Sequence, residues 1–425
     1  MNRGKKYVLI VMDGAGDVYR DHNGRSPLGI AEIPYIDKIA RKGICGKSHT
    51  LFEGLPKESL VAQLGMFGWD PFKYYPYGRA SAELLASGGL DIGEDDLAFR
   101  ANFVSIKDGR LVSYNANYIS DEKASALVET VNRYLGERFP DIQFYHNSDF
   151  RNTLVFRGVG LHPEEFTCLE PHENVNNPVD PDQLVGSRKK ENKAAADYLN
   201  AYLRQARKIL IGEEANAMMP WSASRAFRLP DFKTHTGFNG KAGIVGAMDF
   251  LKGIAIAGQL DFFKVGTGKP RTDFYGKGRK VIEMLTSGYD LVICHINAPD
   301  EASHMQSLEM KIESLENIDR YVVRPVYEYF MGHVTELGGV MVIPDHFTNV
   351  FCNVNGEKRI ASHSLDPVPF AVWNDEYCDA TVEFTEDEAD KGIFGKVPVP
   401  SLVLMQLLTS FNSQRTPEYG IQVYD

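Results

Sequence analysis

The chain is poor in cysteine and has no long apolar run. Its five cysteines, Cys45, Cys168, Cys294, Cys352 and Cys378, are odd in number, far apart and without a C-x-x-C pair, so a reducing compartment is expected. Nothing approaches the ~18 consecutive apolar residues of a membrane span. Lys5 and Lys6 precede an apolar run, but Tyr7 to Met12 stops at Asp13-Gly14, short of the roughly 7–15 apolar residues of a secretory signal. A cytoplasmic chain with no membrane partner is expected. Excess positive charge is also lacking: 46 Lys and Arg stand against 57 Asp and Glu, a net charge of −11, which argues against a general affinity for nucleic acid. The 38 glycines and 21 prolines fall well below the roughly 25–30% of low-complexity sequence. What remains is 425 residues, 43% hydrophobic and 24% charged, a globular composition able to bury a sizeable core in more than one domain.

Tyr7-Val-Leu-Ile-Val-Met12 shows no alternation and is rich in β-branched residues, which predicts a strand buried on both faces, as in a parallel sheet. Leu291 to His295, Gly339 to Ile343 and Phe370 to Trp373 share that character. Leu308, Lys311, Ile312, Leu315 and Ile318 recur at helical spacing and lead into Tyr321 to Leu337, with Gly338-Gly339 as the stop. Strand, long helix, strand is a βαβ unit. Further helices are predicted over 36–42, 59–67, 247–257 and 401–408. The middle of the chain reads differently: a hairpin turning at Asp108-Gly109, a helix opened by Ser120, a strand over 152–157 and a Pro- and Asn-rich loop over 171–181. The expected fold class is α/β, with a mainly parallel sheet flanked by helices over 1–77 and 231–425. A smaller α+β domain over 78–230 is expected to interrupt it.

Ligands of open α/β sheets sit beyond the carboxyl ends of the parallel strands, and several predicted strands here lead to a metal-capable side chain. Asp13 follows the first. Asp345 and His346 follow the strand at 339–343, and Asp300 and His304 stand a short way past 291–295, on one face if that stretch is helical. His363 precedes the last strand. Each alone reads most simply as a cap, turn or core residue. Together they make a carboxylate and imidazole set that suits Mn2+ or Zn2+. Ser59, at the opening of a predicted helix whose unpaired N–H groups favour a developing anion, is the candidate nucleophile. Its plainer reading is an N-cap, because a hydroxyl needs a base or a metal to become a good nucleophile.

Five ordered motifs closely resemble cofactor-independent phosphoglycerate mutase, in its shorter archaeal-type branch within the alkaline phosphatase superfamily. They are Val11-Met-Asp-Gly-Ala-Gly-Asp17, Ser59 to Pro71, Asn297 to His304, Pro344-Asp-His346 and Ser362 to Pro369. Ser26-Pro-Leu28, Ile36 to Ile39, Gly78-Arg79 and Ala98 to Phe103 extend the likeness over most of the chain. The resemblance implies an alkaline-phosphatase-like core with two divalent ions, Mn2+ or Zn2+ and in some cases Mg2+. Asp300, His304 and His363 would hold one ion, and Asp13, Ser59, Asp345 and His346 the other. It further implies that Ser59 takes the phosphoryl group of 3-phosphoglycerate and returns it to the 2-hydroxyl of the retained glycerate, without 2,3-bisphosphoglycerate. The substrate is then a small phosphorylated acid whose carboxylate finds partners on the insert. Arg151, Arg157 and Arg225 are the candidates, with a solvated surface arginine the plainer reading of each.

The chain departs from the family's pattern close to these residues. Where the family has Gly-Ser-Asp followed by a small pair and His or Asn, this chain has Glu58-Ser59-Leu60 and Gln63, and Phe347 replaces a small residue after Asp345-His346. These departures leave two neighbouring activities on the same core, a phosphomonoester hydrolase and a mutase-like phosphotransferase acting on homoserine. A binding protein that keeps the fold without catalysis is the third alternative. The number of subunits stays open.

Overall fold

The computed structural model describes residues 4–88, 90, 92–354, 357–359 and 363–410. It divides into two compact units, Met1–Tyr74 with Leu229–Asp425, and Tyr75–Arg228. Ser362, which opens the last of the five motifs, lies outside the described residues.

The first unit is built on an eight-stranded sheet. Its strands are β1 (Lys6–Met12), β2 (Ile44–His49), β3 (Ala242–Gly246), β4 (Asp261–Lys264), β5 (Leu291–Ile296), β6 (Leu337–Ile343), β7 (Val368–Trp373) and β8 (Phe394–Pro400), in the spatial order β4-β3-β5-β1-β6-β7-β2-β8. The five strands from β4 to β6 run parallel. β1 lies among them with all but its first residue buried. Helices on both faces remove any solvent side and hence any alternation. Four helices matter below: α1 (Ser59–Met66), α2 (Ala298–His304), α3 (Leu308–Ile318) and α4 (Arg324–Gly332). Leu315 of α3 and Val326 of α4 pack with Val8, Ile10, Cys294 and Val342 in one core cluster.

Two readings of the sequence are corrected here. β7 is antiparallel to both of its neighbours, although its sequence matches the parallel strands; an apolar run reports burial on two faces, which packing imposes whatever the strand direction. The long helix expected before Gly338-Gly339 is interrupted by a π-helical turn at Asp319–Val323, ends at Gly332, and gives way to β6 from Leu337. The two glycines therefore lie inside a strand. A Cβ on Gly338 would fall 2.4 Å from the Tyr7 ring, and one on Gly339 would fall 2.6 Å from the Leu408 carbonyl, so close packing and not helix termination requires them.

The second unit carries a five-stranded antiparallel sheet. Leu97–Lys107 pairs with Arg110–Ser113, Arg151–Phe156 and Ala217–Ser224, and Ile142–Ser148 adds beyond Arg151–Phe156. Asp108 and Gly109 both take left-handed φ, +50° and +70°, as a two-residue type I′ hairpin turn needs. Ser120 caps the helix Asp121–Leu135 by accepting from the Lys123 N–H. That helix and Lys193–Ile209 pack Val128, Val131, Leu199 and Leu203 with Phe103 and Leu154 of the sheet. No helix of the described residues is long and apolar enough to cross a membrane.

Candidate active site

Three chain reversals meet beyond the carboxyl ends of β1, β5 and β6. The Asp13 N–H bonds the Ile296 carbonyl at 2.9 Å, which places Asp13 beside the end of β5. Gly14 turns the chain with φ +64°, and its N–H donates to Asp345 Oδ1 at 3.0 Å. A Cβ there would lie 2.6 Å from Thr348 Oγ1 and 2.7 Å from Asp300 Cβ, so both the backbone angle and the close approach call for glycine. β5 leads into α2, on which Asp300 and His304 share a face. Past β6, the two-residue strand Phe347–Thr348 pairs with His363–Ser364 and sets Thr348 opposite His363.

Ser59 is the first residue of α1, and Glu58 before it takes the extended N-cap position. The Ser59 hydroxyl therefore does not cap the helix. It lies 3.1 Å from His346 Nε2.

The donors form two sets. Asp300 Oδ2 to His304 Nε2, Asp300 Oδ1 to His363 Nε2, and His304 Nε2 to His363 Nε2 are each 3.3 Å apart. Ligands at roughly 2.0–2.1 Å from a tetrahedral ion stand about 3.3 Å from one another, the spacing of the two imidazole nitrogens and of each from one oxygen of the Asp300 carboxylate. In the second set His346 Nε2 lies 3.3 Å from Asp13 Oδ1, 3.5 Å from Asp345 Oδ2 and 3.1 Å from Ser59 Oγ. His346 touches both sets: its ring stacks on that of His363 at 3.9 Å, while its Nε2 faces the second.

The electrostatics fit a cation in each set. Burial, and after it the Asp345 carboxylate, push Asp13 well above the usual carboxylate range, and burial raises Asp345 too. Asp13 Oδ1 is buried without a hydrogen bond. Burial opposes ionisation of Asp300, yet the hydrogen bonds and charges of His304 and His363 outweigh it and hold Asp300 well below that range. Burial pulls the other way on His304 and His363, and Asp300 lifts both above the ordinary imidazole value. His363 Nδ1 lies 2.7 Å from the Lys57 carbonyl, which can only accept, so Nδ1 carries the proton and Nε2 is left to a ligand or a second proton. One ligand atom each from Asp300, His346 and His363, and likewise from Asp13, Asp345 and His346, lie within 4.8 Å of one another, close enough to share a metal ion.

Gln63 stands in the sequence only as a departure from the family's pattern, and Thr348, Lys311 and His295 carry no mark there of a place in the site. Gln63 Nε2 donates to Asp345 Oδ2 at 3.0 Å. The Thr348 hydroxyl bonds Asp300 Oδ1 at 2.6 Å and His346 Nδ1 at 3.0 Å. Lys311 is fully buried and donates to Asp17 Oδ2 and to the Gly16 and Thr348 carbonyls; its place in the apolar phase of a helix signals that burial. His295 Nε2 is 3.3 Å from Asp13 Oδ2, and burial pushes its pKa down to about 4, leaving a neutral ring. Phe347 packs on Gly16, where a Cβ would lie 2.5 Å from its ring, so that bulk is absorbed by the loop after β1.

Arg151 stands apart from Arg157 and Arg225, which both follow strand ends paired with the start of Leu97–Lys107. Arg151 opens the strand Arg151–Phe156 and Arg157 follows its end; at roughly 3.3 Å per residue they are about 20 Å apart. Arg151 lies over the Phe150 ring and 3.5 Å from Asp149. Arg157 bonds Asp96 at 2.6 Å and Gln143 through two nitrogens. Arg225 faces the Tyr77 ring and pairs with no carboxylate among the described residues. Glu170, His172 and Glu173 also gather, but all three are exposed, and exposed acidic groups often cluster without an ion.

Residues 40–216 match the family described as 2,3-bisphosphoglycerate-independent phosphoglycerate mutase. A protein of Methanosarcina acetivorans bearing that name is 34% identical over 412 residues, covering 94% of this chain and 99% of its own. One from Thermococcus kodakarensis with the same name is 32% identical over 413 residues, 92% and 94% of the two chains. Among solved structures, a protein from Pyrococcus horikoshii aligns with a TM-score of 0.70 at 26% identity over 95% of this chain and 96% of its own. The cofactor-independent phosphoglycerate mutase of Thermoplasma acidophilum aligns at 0.60 and 24% identity, over 95% and 98%, a likeness of fold.

Proposed function

The chain belongs to the 2,3-bisphosphoglycerate-independent phosphoglycerate mutase family, and on that premise we propose that it interconverts 3-phosphoglycerate and 2-phosphoglycerate through a phosphoserine at Ser59. The observation that carries the reading is the Ser59 hydroxyl, free of any capping role and 3.1 Å from His346 Nε2 within the set of Asp13, Asp345 and His346. Asp300, His304 and His363 would hold one divalent ion and Asp13, Ser59, Asp345 and His346 another, and such ions would supply Lewis acidity to the Ser59 hydroxyl and offset phosphoryl charge.

The chain's own residues do the rest. Ser59 Oγ gives up its proton and forms the bond to phosphorus as the 3-oxygen of glycerate leaves with the electron pair and takes up a proton. The first-turn N–H groups of α1 lie next to that oxygen and favour the anionic phosphoryl group. The 2-hydroxyl of the same glycerate then attacks the phosphoserine, the Oγ–P bond breaks with its electron pair staying on Oγ, and the hydroxyl proton returns to Ser59, so serine stores the phosphoryl group and no 2,3-bisphosphoglycerate is required. Glycerate has to be retained between the two steps, which calls for a cation on its carboxylate. Of the three insert arginines, Arg225 suits this best, because Arg151 and Arg157 each already face a carboxylate. A small phosphorylated acid is then the partner, and the cytoplasm the compartment.

The test is to incubate purified protein with Mn2+ and 3-phosphoglycerate and follow both 2-phosphoglycerate and free phosphate. Conversion to 2-phosphoglycerate with little phosphate is expected. Phosphate as the sole product would instead make the protein a phosphomonoester hydrolase.

A further inference from the structure

Thr348 touches both donor sets and belongs to neither. Its backbone is held on three sides: its N–H donates to the Gly16 carbonyl at 3.1 Å, its carbonyl accepts from Lys311 Nζ at 2.8 Å, and its strand pairs it with His363. The residue is fully buried, with its hydroxyl 2.6 Å from Asp300 Oδ1 and 3.0 Å from His346 Nδ1. Gly14 lies so close that a Cβ would meet that hydroxyl at 2.6 Å, so the turn after β1 leaves the bridge its room.

A hydroxyl carries one proton. Asp300, as a carboxylate, only accepts, so the Thr348 proton goes to Asp300 and the Thr348 oxygen takes the Nδ1 proton of His346. This relay, from His346 through Thr348 to Asp300, settles two matters at once. It leaves His346 Nε2 without a proton where it faces Asp13, Asp345 and Ser59. It also fixes the rotation of the Asp300 carboxylate, whose Oδ1 faces His363 and whose Oδ2 faces His304.

We propose that Thr348 is a positioning residue that couples the two ion sites, because its single hydroxyl orients one ligand of each. Valine fills nearly the same space without the hydroxyl. His346 then loses the acceptor that selects its tautomer, and Asp300 loses a donor, so both ions are weakened together. Removing a group that orients a metal ligand typically costs about 10–100-fold in affinity.

The inference rests on the two ligand sets proposed above, and the experiment separates the two claims. The metal-free full chain is titrated with Mn2+ by calorimetry, and with Co2+ by visible absorption, as the parent, Thr348→Val and Thr348→Ser. Circular dichroism checks the fold, and Thr348→Ala replaces the valine variant if that does not fold. The parent is expected to bind two ions. Thr348→Val should weaken both by about 10–100-fold and change the cobalt spectrum, while Thr348→Ser, which keeps the hydroxyl, stays near the parent. Parental affinity at either site in Thr348→Val, or an equal loss in Thr348→Ser, overturns the coupling role and leaves the ligand sets standing. A parent that takes up no Mn2+ or Co2+ overturns the ligand sets, and the coupling with them.

Discussion

Gln63 donates its side-chain amide to Asp345 Oδ2 at 3.0 Å, one helical turn along α1 from Ser59. Residues four apart share a helix face, so one short helix presents Ser59 and steadies Asp345, which lies 3.5 Å from the His346 nitrogen that Ser59 approaches. Gln63→Leu removes the donor without opening a large cavity. It is expected to lower Mn2+ affinity by about 10-fold and to slow turnover, as read by calorimetric titration and steady-state assay. Unchanged affinity would detach Gln63 from the site.

Ser59→Ala should abolish turnover while leaving the fold alone. Ser59 stands inside the first turn of α1 and caps nothing, and alanine is the better helix former by about 0.5 kcal/mol. Urea denaturation of both proteins alongside the activity assay checks this. A rate within a few-fold of the parent would remove Ser59 as the nucleophile.

Ion binding should depend on pH through His304 and His363, which Asp300 lifts above the ordinary imidazole value against the opposing effect of burial. Both must shed a proton to bind an ion, so Mn2+ affinity should rise with pH above about 6.5 and level off once both are neutral. The stability of the ion-free chain should run the other way. Groups whose folded pKa lies above the unfolded one contribute fully below the unfolded value, near 6.5, and lose that contribution as pH rises through the folded value. His295, pushed down to about 4, acts only below that window. Thermal unfolding of the metal-free chain at two pH values on either side of neutrality, paired with Mn2+ titrations, reads both trends; affinity that is flat over this range counts against imidazole ligands.

Lys311→Met should destabilise the core by about 3–5 kcal/mol, because it leaves a buried charge without its partner. Lys311 and Asp17 are both fully buried and 2.9 Å apart. Chemical denaturation measures the loss, and a change below about 1 kcal/mol, the scale of an exposed pair, would mean that the buried pair does not carry this part of the core.

Arg225→Ala should raise phosphate release relative to isomerisation while leaving the ion content at the parental level, if Arg225 retains glycerate. Arg157→Ala should instead act on the second unit's stability, since Arg157 is committed to Asp96 and Gln143. Phosphate and 2-phosphoglycerate counted in one reaction give the ratio. An unchanged ratio in Arg225→Ala assigns the carboxylate to another residue.

The amino-acid sequence by itself determined the kind of element at each place and which faces are buried. Tyr7 to Met12 reads as a strand covered on both sides, and Asp108-Gly109 between two strand-like runs as a tight turn, and both are found so. Asp300 and His304 share a face because helical spacing is a local property. Gly338-Gly339 and Phe370 to Trp373 were misread for one reason: close approach to Tyr7 and Leu408, and the antiparallel direction of β7, depend on partners distant in the chain. The same holds at the site. Residues that can bind a metal were visible from their chemistry and their position after strands, whereas Gln63, Thr348 and His295 are ordinary until the fold brings each within hydrogen-bonding reach of a carboxylate or imidazole. Periodicity encodes burial, which each residue carries with it. Hydrogen bonds between side chains far apart in sequence exist only once the sheet has stacked β5, β1 and β6 side by side, and those bonds decide which nitrogen of His346 faces Ser59.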